Sequence, residues 1–170
     1  MLPTFTTMRS KAVFSSCSNY RFWMRRKWEV DGTFGVFLLI NPSYADALRL
    51  DCTNRICIRL AYCWGWRGFG IVNLNPYRSS TPDKLPAISD VLRTTNDKWI
   101  KRSHLSADIF VLAVGNAYHD EMKSIIARLG LSEPFYAIDE KNKEGGYPHP
   151  MSCLFRNKYP KSPTKIKCLI

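Results

Sequence analysis

Three continuous apolar runs constrain this chain more than any other feature. They are Phe34-Gly35-Val36-Phe37-Leu38-Leu39-Ile40, Gly70-Ile71-Val72-Asn73-Leu74 and Ile109-Phe110-Val111-Leu112-Ala113-Val114, followed by a shorter Phe135-Tyr136-Ala137-Ile138. A strand with one wet face alternates apolar and polar residues. An unbroken apolar run suits a strand buried on both faces, as in a parallel sheet. Helical spacing fills the gaps. Thr53 to Trp64 places Ile56, Leu60 and Trp64 four apart, and Asp83 to Arg102 holds a second helix interrupted near Pro86. Asn116 to Leu129 gathers Tyr118, Met122, Ile125, Ile126 and Leu129 on one face, with Gly130 as its stop. Strands alternating with helices give an α/β expectation: a single three-layer α/β/α sandwich around a mainly parallel four-stranded central sheet.

An N-terminal β-hairpin is expected beside it. Tyr20, Phe22, Met24 and Trp28 alternate with Arg21, Trp23, Arg25 and Lys27, giving one apolar and one basic face. The Ser15–Asn19 cluster turns this strand back onto Lys11–Phe14. At 170 residues the chain suits one domain, placed at 1–155, with 156–170 as a basic C-terminal tail that can be flexible.

The charge is uneven. There are 25 Lys and Arg against 14 Asp and Glu, a net +11. Residues 1–80 carry 11 basic and 4 acidic side chains, 81–140 carry 7 and 9, and 141–170 carry 7 and 1. Basic ends around a balanced middle suit a polyanion, with DNA as the leading partner. No apolar run approaches the roughly 20 residues of a membrane span. The start, Met1-Leu2-Pro3-Thr4-Phe5, lacks the charged opening and apolar core of a signal peptide. The six cysteines form no Cys-x-x-Cys pair and read as reduced thiols of a cytoplasmic protein. A zinc site from Cys57, Cys63 and a histidine is poorly spaced, so no metal or cofactor is expected.

Parallel sheets place their sites beyond the carboxyl ends of their strands. Those positions hold Asn41-Pro42-Ser43-Tyr44 with Asp46 and Asp51 nearby, then Asn73 with Asn75, Tyr77 and Arg78. They continue with Gly115-Asn116 and, after the Gly145-Gly146 turn, Tyr147-Pro148-His149-Pro150. These are neutral amides, hydroxyls and one imidazole, with no phosphate loop, nucleophile elbow or carboxylate pair.

Leu39-Ile40-Asn41-Pro42-Ser43-Tyr44-Ala45-Asp46, Gly70-Ile71-Val72-Asn73-Leu74, His149-Pro150 and the opening Tyr20-Arg21-Phe22-Trp23 resemble the bacterial and phage family called domain of unknown function 1643. More distantly, the order of elements is similar to the uracil-DNA glycosylase superfamily. That resemblance implies a DNA glycosylase, which hydrolyses the N-glycosidic bond of a damaged or modified base and leaves an abasic site. It implies that Asn41-Pro42 matches the motif that places a water, Asn73 the base reader, and His149-Pro150 the late motif that stabilises the departing base. Ile40 stands where the glycine before the first motif is usual, and Asn41 cannot take a proton, which leaves Asp46 as a candidate carboxylate.

With Asn41, His149 and Asp46 as catalytic candidates, Asn73, Pro42, Ser43 and Tyr44 would surround the base. Tyr44, Trp64, Trp66 and Phe69 are the aromatics available to stack on it. Arg21, Arg25, Lys27, Arg78, Arg156 and Lys158, with Lys161, Lys165 and Lys167, are the expected backbone-phosphate contacts of a monomer on single- or double-stranded DNA. Each motif also has a plainer reading. Asn41-Pro42-Ser43 suits a turn and helix cap, Asn73 a buried amide bonded to backbone, and His149 a loop residue. A binding domain without chemistry, or an enzyme for small N-glycosides or nucleotides, therefore stands as the alternative.

Overall fold

The computed structural model describes residues 7–44, 48, 50–81, 85–140, 145–155, 157 and 159–166. In chain order the elements are β1 (Arg9–Phe14), β2 (Arg21–Lys27), β3 (Phe34–Leu39), α1 (Cys52–Cys63), β4 (Gly68–Asn73), α2 (Asp90–Ser106), β5 (Ile109–Leu112), α3 (His119–Leu129), β6 (Phe135–Ala137), α4 (Met151–Phe155) and β7 (Thr164–Ile166). All seven strands join one sheet in the order β1-β2-β4-β3-β5-β6-β7. The protein is a mixed α/β fold.

The apolar runs are its centre. Strands β4, β3, β5 and β6 lie side by side and parallel. Every residue of β3 and β4 is buried. Alternation splits them between two cores. Phe34, Val36 and Leu38 pack with Ile100 of α2 and Met122, Ile125 and Ile126 of α3. Phe37 and Leu39 pack with Ile56, Cys57, Leu60 and Ala61 of α1 and Cys153 of α4. Helices therefore cover both faces.

The expected four-stranded sheet with a separate hairpin is too small. β2 pairs antiparallel with β4 in register Met24↔Ile71, so the hairpin extends the sheet rather than standing beside it. Thr164–Ile166, within the expected tail, pairs antiparallel with β6. These additions carry no long apolar run. β2 has buried residues at Arg21, Phe22, Met24 and Arg26, and β7 has only three residues. Helix α2 begins at Asp90, capped by Ser89, because residues 85–89, with Pro86 among them, form no helical turn, and Asp83 lies outside the described residues. Helix α3 ends as expected on Gly130 in the left-handed conformation, φ +60.

Gly35 is required by packing. A Cβ there would lie 2.0 Å from the Trp66 ring, so only glycine lets the indole lie on β3. Among the described residues no helix is long and apolar enough to cross a membrane. The cysteines at 17, 52, 57, 63 and 153 are all free thiols.

Candidate functional site

The chain runs from β3 outward to β4 on one side, and then to β5 and β6 on the other. The order reverses between β3 and β5, and the position beyond their carboxyl ends is the usual ligand crevice of such sheets. Leu74 N–H donates to Leu39 O (2.9 Å) and Asn75 N–H to Ile40 O (3.0 Å), carrying the β3–β4 pairing past the strand ends. On the α2/α3 side of them a cleft of about 420 Å³ is lined by Ile40, Leu74, Asn75, Tyr118 and Glu121 among others, and not by Asn41, Asn73 or His149.

Asn73, the last residue of β4, is completely buried, and neither its Nδ2 nor its Oδ1 has a hydrogen-bond partner. Strand alternation after Phe69 and Ile71 puts it on the α1/α4 face. Asn96 of α2 is equally buried but has a scaffolding role. Its Nδ2 donates to Asn73 O (2.9 Å) and Leu74 O (3.1 Å). An unpaired buried amide costs about 1–3 kcal/mol. The Asn73 side chain therefore does not serve the fold through hydrogen bonds.

The second polar group is built on the start of α1. Asp51 caps the helix, accepting from Asn54 N–H (2.6 Å) and Asn54 Nδ2 (2.9 Å). Ser43 Oγ also donates to Asp51, tying the loop after β3 to the helix. This carboxylate acts on His149, whose pKa is lowered to about 4 because burial of the ring outweighs the opposing pull of Asp51. Met151 N–H approaches His149 Nδ1 at 3.3 Å, which makes Nδ1 the acceptor and assigns the proton to Nε2. The imidazole is thus a neutral donor. Gly115 beside it takes a left-handed backbone (φ +75) that favours glycine, and its N–H donates to Tyr147 O (2.8 Å).

The other sequence candidates divide. Asn41 Nδ2 donates to Ser79 O (2.8 Å) and Pro42 O (3.2 Å), so half of its amide ties two loops together. Pro42 is buried, Ser43 is partly buried, and Tyr44 is 61% exposed beside them. Trp66 and Phe69 are core residues around Phe37, and the partly buried Trp64 joins them while donating its Nε1–H to Pro160 O (2.8 Å). Of the four stacking candidates, Tyr44 alone presents a largely exposed ring.

The expected phosphate contacts need correction. Arg21 is only 2% exposed and lies close enough to Cys57 for its charge to oppose the burial-driven rise in that thiol's pKa, so it faces inward and not a DNA surface. Arg25 and Lys27 pair with Gly70 and Gly68, near the amino ends of the parallel strands and away from the crevice. Arg78 is at the crevice end but braces it, donating to Ser18 O (3.0 Å) and Tyr44 O (3.1 Å) with its guanidinium over Phe14 and Tyr44. Asp46, Arg156, Lys158 and Lys167 lie outside the described residues.

The family model described as "Protein of unknown function (DUF1643)" matches residues 21–151. The chain belongs to that family. The DUF1643 span opens at β2 and closes at Met151, so it contains Asn41, Asp51, Asn73 and His149 and leaves out β1 and β7. No curated protein and no solved structure matches the chain. Among the described residues, no group of three or more His, Cys, Asp or Glu could hold a metal ion.

Sequence reasoning placed Asp51 beside Asp46, gave the carboxylate role to Asp46, and passed over Asn54. A signal was present: Asp51 stands just before the Ile56-Leu60-Trp64 helical spacing, where an N-cap belongs. What it lacked was the fold that brings a helix cap within electrostatic reach of a loop almost one hundred residues later.

Proposed function

We propose that this DUF1643 protein is a DNA N-glycosylase that takes a base out of the stack and hydrolyses its bond to the sugar, on a fold like that of the uracil-DNA glycosylases. The observation that carries this reading is the buried Asn73 amide with both polar atoms unpartnered, at the strand end where such sheets bind ligands. One amide can both donate and accept, which matches the Watson–Crick edge of a base.

In this reading the C–N bond breaks with its electron pair leaving on the base, water adds to the sugar carbon, and the proton the water loses ends on the departing base anion. The neutral His149 donates its Nε2–H to the oxygen on which the base's negative charge develops. Asn41 keeps Oδ1 as an acceptor for the water, and Tyr44 stacks on the extruded base. Asp51 orders Ser43 and the first turn of α1, and its charge favours the positive sugar. A second reading, a domain that holds a base without cutting, is favoured by one observation. Asn41 Nδ2 is already committed to Ser79 O and Pro42 O.

DNAs carrying uracil, alkylated or glucosylated bases separate the two when scored for abasic sites. The enzyme reading expects release from at least one, falling by about 100-fold or more in His149→Ala, the scale for removing one oxyanion donor. Base-dependent binding with no release from any DNA establishes the binding domain instead.

A further inference from the structure

Arg25 and Lys27, displaced from the crevice, line a different feature. A groove of about 340 Å³ runs between β2 and α2 near the amino ends of the parallel strands, walled by Trp23, Arg25, Lys27, Arg67, Trp99 and Arg102. It adjoins a shallower depression of about 450 Å³ that shares Arg102 and Ser106 and adds Lys98 and Lys101. Six cationic side chains from β2, the α1–β4 turn and α2 therefore converge on one path.

No ion pair among the described residues takes up this charge. The two carboxylates of α2 are engaged elsewhere, Asp90 with Arg93 and Asp97 with Arg128. Asp108, beside the groove wall at Phe34, accepts the Phe34 N–H (2.7 Å). Complementing the helix dipole, which falls off beyond the last turn, does not account for Lys98, Lys101 and Arg102 earlier in α2, nor for Arg25, Lys27 or Arg67 on other elements.

The aromatic component is specific. Trp23 and Trp99 stack at 5.4 Å with an interplanar angle of 25°, and each has a guanidinium on it, Arg25 at 5.7 Å and Arg102 at 5.4 Å. Those approaches are loose beside Arg59 over Tyr159 at 3.7 Å. Both indoles are only partly buried. At the groove wall Ser103, 2% exposed, has a buried Oγ without a partner.

We infer that this groove binds a single strand of nucleic acid, with phosphates on Arg25, Lys27, Lys101 and Arg102 and a base against the Trp23–Trp99 pair. Interleaved cations and indole faces are the combination that holds unpaired strands without reading sequence. A duplex hides its base faces and can use only the cations. The groove is separate from the crevice and does not depend on base release.

Anisotropy of a short fluorescent oligothymidylate on the full-length protein tests this, with a duplex of equal length and heparin as comparison probes. The strand is expected to bind more tightly than the duplex and to quench tryptophan fluorescence. Trp99→Ala is expected to weaken strand binding by about tenfold or more while leaving heparin binding within about twofold. Arg102→Gln, at the groove rim and less disruptive to packing, is expected to weaken both, and Lys123→Gln on α3 neither. Equal affinity for strand and duplex, or strand binding indifferent to both Trp99→Ala and Arg102→Gln, overturns the inference.

Discussion

Two buried asparagines make opposite contributions. Asn96 satisfies two strand-end carbonyls, so Asn96→Leu leaves them unpaired and is expected to lower stability by about 2 kcal/mol in urea denaturation. The Asn73 side chain bonds to nothing. His149 is likewise set by its surroundings. Its folded pKa is about 4 against 6.5 for an ordinary histidine, so the unfolded chain takes the proton first as pH falls. The stability due to its neutral form is complete above pH 6.5 and is lost on descending from about 6.5 to 4. Its size is about 2 kcal/mol, below the full value of the shift because the ring keeps some exposure. An NMR titration is expected to show His149 ring shifts unchanged from pH 8 to pH 5.5. A midpoint near 6.5 would remove the burial argument.

Single elements explain what the sequence made legible. The unbroken apolar runs at 34–40 and 109–114 can only be strands covered twice, and they are β3 and β5. Gly130 marked the end of α3 because its φ of +60 suits glycine. β7 left no such trace, since three residues paired to an edge need no apolar pattern. The basic face assigned to β2 loses Arg21, which is buried, and keeps Arg25 and Lys27 on the groove, while Arg26 on the opposite face is buried and donates to Ser10 Oγ (2.8 Å). Two substitutions test the elements. Gly35→Ala drives a methyl into Trp66 and is expected to cost about 3 kcal/mol, at the upper end of overpacking, with no loss of the helix caps. Asp51→Ala removes the α1 cap and is expected to cost about 1 kcal/mol, while Asp51→Asn keeps most of the capping bond. Thermal melts of the three variants check the ranking.

At the scale of the molecule, charge had to be placed before it could be interpreted. Divided along the chain, residues 81–140 carry a slight acidic excess, yet Arg102 from that stretch meets Arg25 and Lys27 in one groove, with Lys98 and Lys101 on the depression beside it. Sequence order hides this because α2 packs against β2, some seventy residues earlier. The molecule therefore has two poles: neutral amides and an imidazole beyond the carboxyl ends of the sheet, and cations with indoles near the amino ends. Binding at the cationic pole is expected to weaken steeply as salt rises, through release of condensed counterions. The central claim concerns the other pole, where the fold holds an amide it does not itself use. Urea denaturation of Asn73→Leu, read beside base release or base-dependent binding, tests it most directly. The account expects stability equal to the native protein's or higher by about 1 kcal/mol, together with loss of the nucleic-acid function. A fall of about 2 kcal/mol with that function intact would contradict it.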